Sequence, residues 1–130
     1  HGSANSQQCL DNISQAKISL NVMPWFKKGA HDRVFNSCLN GAVCLTDSSS
    51  YLDEIFTDGK DILFYDLNML KDYEMSGYDY KVIEPMIKRV RELLMDDTAL
   101  QSMADNAYEL CRVEHTWENV TYSLMNQGIL

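Results

Sequence analysis

Lys17-Ile-Ser-Leu-Asn-Val-Met23, His31-Asp-Arg-Val-Phe-Asn-Ser-Cys-Leu-Asn40 and Ala42-Val-Cys-Leu-Thr46 follow one another, and their reading decides the fold. The first and third are short apolar runs of strand length, and the segment between them repeats its apolar residues at the helical period. Within that helix Val34, Phe35, Cys38 and Leu39 share one arc, while Arg33, Asn36, Ser37 and Asn40 share the opposite one. Pro24 ends the first strand and Gly41 stops the helix. Strand, helix and strand in succession predict a βαβ unit, in which the two strands run parallel.

Working outward, the segment from about Ser6 to Gln15 reads as a short helix with Leu10 and Ile13 on one side. Trp25-Phe-Lys-Lys-Gly-Ala30 is a loop carrying an exposed aromatic pair. Beyond Thr46, Asp47 and three serines cap a short helix over Tyr51 to Phe56. Asp58-Gly59 makes a turn, and Asp61-Ile-Leu-Phe-Tyr65 is a third strand. Residues 66–80 give no clear period. Pro85 suits a first helical position, and Met86, Ile87, Val90, Leu93 and Leu94 form the stripe of the helix that follows. Thr98 and Gln101 stand at capping-box spacing for another helix, with Leu100, Met103, Ala104, Ala107, Tyr108 and Cys111 on its inner face. A last helix starts near Thr116 and is expected to bury Trp117, Val120 and Leu124. The fold class is therefore α/β, a partial Rossmann-like domain: a three-stranded parallel sheet flanked by helices, with a helical C-terminal half.

A chain of 130 residues suffices for one globular domain. Apolar residues at 45% and charged residues at 23% are ordinary for such a domain, and no apolar run approaches the ~18 residues of a membrane span. The formal charge of −8 and the scatter of the basic residues argue against nucleic-acid binding, which needs a broad basic face. One bound diphosphate needs only a local positive patch. Cys9, Cys38, Cys44 and Cys111 lack CxxC and zinc spacings, so Cys38 and Cys44 read as reduced core residues of a cytoplasmic protein, with disulfides as the other reading. His1-Gly2-Ser3 reads as a purification-tag remnant, leaving residues 4–130 as an incomplete domain of something larger.

Two strand-to-helix junctions hold the candidate site. Open α/β sheets bind ligands outside the carboxyl ends of their strands, and a helix start offers N–H groups to an anion. His31 and Arg33 lie at the first junction, where the forked donors of Arg33 suit a phosphate and Asn36, one turn on, suits a ribose hydroxyl. The same residues also read as the solvated side of an amphipathic helix. At the second junction Thr46, Asp47 and Ser48 can cradle a diphosphate or serve only as a cap, and Glu54 can reach a sugar hydroxyl or simply face water. His115 reads as a structural hydrogen-bonding group rather than a catalytic one. No Ser-His-Asp set, Walker loop, GxGxxG or metal-ligand cluster occurs, and no catalytic residue is assigned.

The run Ile18-Ser-Leu-Asn-Val-Met-Pro-Trp-Phe26, the stretch from His31 to Asp47, Tyr51-Leu-Asp-Glu-Ile-Phe56, Asp58-Gly-Lys-Asp-Ile62 and His115-Thr-Trp-Glu118 together resemble the glycosyl transferases group 1 domain. That domain is the C-terminal, donor-binding half of GT-B enzymes, and the likeness is to the branch of the spore-coat maturation protein CgeB. The resemblance spans about Cys9 to Leu124. It implies a glycosyltransferase, of the hexosyltransferase type, moving sugar from a nucleotide-sugar to an unknown acceptor, with no metal or other cofactor. It also implies a missing acceptor-binding domain, so that this piece alone is inactive. In such relatives a glutamate often stands at the place of Asn36 and another at that of Lys28, so this chain lacks the paired glutamates. Arg33, Thr46, Asp47 and Glu54 match positions of the branch. In the intact enzyme the resemblance implies electrostatic stabilisation of the departing nucleoside diphosphate.

Two other readings compete. A non-catalytic α/β interaction module derived from the same scaffold fits the absent glutamates. A receiver or flavodoxin-like regulator also has consecutive βα units, but it needs an early acidic cluster or a phosphate loop that this sequence lacks.

Overall fold

The computed structural model describes residues 5–25 and 27–129; the expected tag remnant and Phe26 lie outside them. The elements run α1 (Ser6–Gln15), β1 (Ile18–Asn21), α2 (Asp32–Leu39), β2 (Val43–Asp47), α3 (Ser50–Ile55), β3 (Leu63–Tyr65), α4 (Leu67–Met75), α5 (Tyr80–Leu94), α6 (Asp97–Glu114) and α7 (Trp117–Asn126). The three strands form one sheet in the order β1-β2-β3, and both pairings are parallel, with Leu20 opposite Leu45 and Leu45 opposite Leu63. The expected α/β architecture is the one observed.

Alternation along β2 divides the core. Cys44 joins Val34, Cys38, Leu52, Phe56, Ile62, Ala107 and Cys111 in one apolar cluster. Val43 and Leu45 join Leu63, Tyr65, Leu100, Met103 and Ala104 in a second, against which α4 and α5 lay Leu67, Leu70, Met86 and Val90. Successive strand residues point to opposite faces, so one strand feeds both clusters. Helix α6 spans the two, with Leu100, Met103 and Ala104 in one and Ala107 and Cys111 in the other. All five residues of β2 are buried, which is why that segment reads as a continuous apolar run rather than an alternating one.

Gly41 follows α2 at φ +81°, a left-handed conformation that disfavours a β-carbon. Helix α3 is capped by Ser49, whose hydroxyl accepts the Leu52 N–H at 3.2 Å.

Several local expectations are corrected. Pro85 lies within α5, which begins at Tyr80 under an Asp79 cap; the start signal is that Asp79 side chain, accepting the Lys81 N–H at 3.0 Å. Helix α6 is capped by Asp96, which accepts the Ala99 N–H, so the Thr98 and Gln101 pair is not its capping box. A carboxylate two residues earlier takes the N-cap role, as acceptors at helix starts do. Ser37, expected on the solvated arc of α2, is fully buried; its hydroxyl lies 2.9 Å from Ser19 Oγ and 2.8 Å from the Arg33 carbonyl, which satisfies it inside. Tyr108, expected on the inner face of α6, is 39% exposed. Trp117, at 81% exposure, and Val120, at 37%, are not core either, and α7 contains no buried residue. The segment 66–80 without a clear period contains α4, capped by Asp66.

Candidate functional site

The loop between β1 and α2 is held against β2 by a buried polar network. Asp47, 1% exposed, accepts the Met23 N–H at 2.6 Å on one carboxylate oxygen and the Lys27 ammonium at 2.8 Å on the other. Asn21, equally buried, donates to Thr46 Oγ1 at 3.0 Å and accepts from an Arg33 guanidinium N–H at 3.3 Å. Tyr65 donates its hydroxyl to the Asn21 carbonyl at 2.8 Å. Burial first, and then the nearby Asp47 carboxylate, hold the Tyr65 phenol above its ordinary range, so it remains a donor. Ser49 donates to the Gly29 carbonyl at 2.6 Å, and the Ser50 N–H donates to the Lys27 carbonyl at 3.1 Å. Buried polar groups need such partners, and here they fix the path of the loop at the carboxyl edge of the sheet.

Two concavities adjoin this network, and a third lies beside α2. A cleft of about 530 Å³ opens at the ends of β2 and β3, where Lys27, Asp47, Ser48, Asp66, Asn68 and Lys71 contribute polar groups. A groove of about 320 Å³ lies between α1 and α2, bordered by Cys9, Leu10, His31, Arg33 and Asn36. A cavity of about 400 Å³ sits against the side of α2 that carries Phe35, Asn36 and Leu39, and Tyr51, His115 and Trp117 also line it. Phe35 and His115 stack there with ring centroids 5.2 Å apart and planes at 29°.

The candidate residues are therefore distributed rather than gathered. His31 caps α2, its ring nitrogen accepting the Arg33 N–H at 3.1 Å, and it borders the groove with Arg33. Asn36 lines both the groove and the aromatic cavity. Asp47 and Ser48 line the cleft. Thr46 is fully buried inside the network, and Glu54 is exposed on α3 outside these three concavities. Trp117, Tyr51, Phe35 and Lys71 were not singled out for a site by the sequence, because helices distant along the chain bring them to a cavity wall. Asn21 has a signal in the sequence: an amide inside an apolar strand needs buried partners.

The core thiols are chemically quiet. Burial pushes the Cys44 thiol up to about 12, and the hydrogen bond with Cys111, followed by burial, raises that of Cys38 further. Cys38, Cys44 and Cys111 are buried thiols, and Cys9 is an exposed one. Among the described residues no three His, Cys, Asp or Glu side chains are grouped to hold a metal ion, and no helix is long and apolar enough to cross a membrane.

Parallel strands joined through helices, with a polar cleft at their carboxyl ends, define a Rossmann-like α/β protein. A family model described as glycosyl transferase-like matches residues 1–126, and the chain belongs to that family. Its general chemistry is thus glycosyl transfer. No curated protein and no solved structure matches the chain.

Proposed function

We propose that this chain is the donor-binding portion of a GT-B glycosyltransferase, holding the nucleoside diphosphate of an activated sugar at the carboxyl edge of its sheet. Membership of the glycosyl transferase-like family over residues 1–126 carries the reading. The placement of Arg33 supports it: the side chain uses one N–H on Asn21 and borders a groove at the start of α2, where the forked guanidinium favours an anion. Such charge stabilises the diphosphate as it departs, without a metal. The acceptor site belongs to a further domain of a longer protein, and the motif set favours the CgeB-like branch. The buried thiols fit a reducing compartment such as the cytoplasm.

Calorimetric titration with UDP, GDP and their sugars tests this. At least one gives saturable heat, and Arg33→Ala weakens it by about tenfold or more, the scale of one charge-assisted hydrogen bond. Silence with every nucleotide overturns the reading. It would leave a non-catalytic interaction module, which Lys28 and Asn36 favour because they stand where relatives carry glutamates.

A further inference from the structure

Thr46, next to last in β2, is fully buried, so its hydroxyl cannot touch a ligand. What it touches is Asn21, its partner across the parallel register of β1 and β2. The hydroxyl donates to the Asp47 carbonyl at 3.1 Å, which leaves its lone pairs to accept the Asn21 amide N–H at 3.0 Å. A side-chain amide has one donor end and one acceptor end. Fixing the donor end on Thr46 turns the Asn21 oxygen the other way, where it accepts an Arg33 guanidinium N–H at 3.3 Å. A flipped amide would set its NH₂ group against a guanidinium that can only donate, and Asn21, 1% exposed, has no water to turn to.

Guanidinium, amide and hydroxyl thus stand in series, each donating to the next from Arg33 into the sheet. The outer end of the series differs in kind from the inner one. Arg33 is exposed, borders the groove between α1 and α2, and forms no ion pair with a carboxylate among the described residues. Asn21 takes one of its N–H groups, and the remaining donors are left to an anion in the groove. A guanidinium already tethered has less rotamer freedom to lose when that anion arrives.

Resting on the donor reading above, we propose that Asn21 and Thr46 are positioning residues of the anion site: together they aim the Arg33 guanidinium into the groove and hold it ready for the diphosphate. Both act through Arg33, and neither meets the ligand. Serine at position 46 satisfies the same series, whereas valine, of the same shape, leaves the amide free to turn.

Calorimetric titration of the 130-residue chain with inorganic pyrophosphate, UDP, GDP and their sugars tests the series. Thr46→Val weakens the probes that bind by about 3- to 10-fold, the scale of one hydrogen bond, and Thr46→Ser keeps affinity within about twofold of the parent. In the Arg33→Ala background Thr46→Val has no further effect, whereas a hydroxyl that served the strand alone would cost the same in both backgrounds. Thermal unfolding checks that each variant is folded at the titration temperature. Where Thr46→Val does not fold, the Asn21 side-chain amide of the parent chain reports by NMR: its proton resonances shift as pyrophosphate saturates the protein, and resonances that stay in place overturn the positioning role. Binding that Arg33→Ala weakens and Thr46→Val does not, or equal losses in the two backgrounds, overturns that role and leaves the donor reading standing. Pyrophosphate binding that obeys the cycle while every nucleotide is silent upholds the role and overturns the donor reading. Silence with every probe overturns both.

Discussion

Asp61 shows how a single buried carboxylate ties this fold to pH. It is 6% exposed and accepts the Thr57 N–H at 2.7 Å, yet burial outweighs that bond and raises its pKa above the usual carboxylate value. A folded-state pKa raised above the unfolded one, about 3.9 for aspartate, gives stability that is complete below the unfolded value and is lost as pH rises through the folded value. Asp61→Asn keeps an acceptor for Thr57 and removes the titration. Urea midpoints of the two proteins therefore diverge in favour of Asp61→Asn as pH rises from below about 4 towards neutrality. A gap that is constant with pH would refute the assignment. Asp47 has a different situation, since both its oxygens have partners and one of them is a cation. Its role in anchoring the loop was hidden in the sequence: an aspartate after a strand and before serines reads as a cap, and only the fold shows Met23 and Lys27 converging on it.

At the scale of elements, α5 carries its own flaw. Pro85 stands inside a helix whose first residue is Tyr80, so the Lys81 carbonyl is denied the N–H it would otherwise accept. Pro85→Ala restores that donor and is expected to raise stability by about 1–3 kcal/mol, measured by chemical denaturation. A loss of stability would mean that the ring's packing beside Met86 and Leu63 outweighs the hydrogen bond. The helices that pack on the sheet were readable, because the apolar residues of α2 and α6 repeat at the helical period and mostly meet the core. The same logic failed for α7. Trp117, Val120 and Leu124 have the spacing of an inner face, but periodicity reports which residues share a side and not whether another element covers it. Caps were readable as residue types and mislocated by position: Asp79 and Asp96 do what Pro85 and Thr98 were expected to signal.

For the whole molecule, strand order and direction followed from the alternation of short apolar runs with helices, since crossovers of that length force parallel pairing. The site was less legible. Its aromatic cavity joins α2 to the α6–α7 junction, and pairs so distant in sequence leave no local pattern. Protection is expected to grade outward from β2. Native-state hydrogen exchange is slowest over Val43–Asp47, buried throughout and paired on both edges, and fastest over α7, which has no buried residue. Slow exchange across α7 would contradict the packing described. The position of β1 has a colloidal consequence. It ends the sheet, and Leu20 and Val22 are 60% and 43% exposed there. An apolar strand at a sheet margin, with no charge within Ile18–Asn21 to repel a newcomer, is a template for intermolecular strand addition. At high concentration that margin, rather than any unfolding step, sets where this acidic chain first sticks to itself.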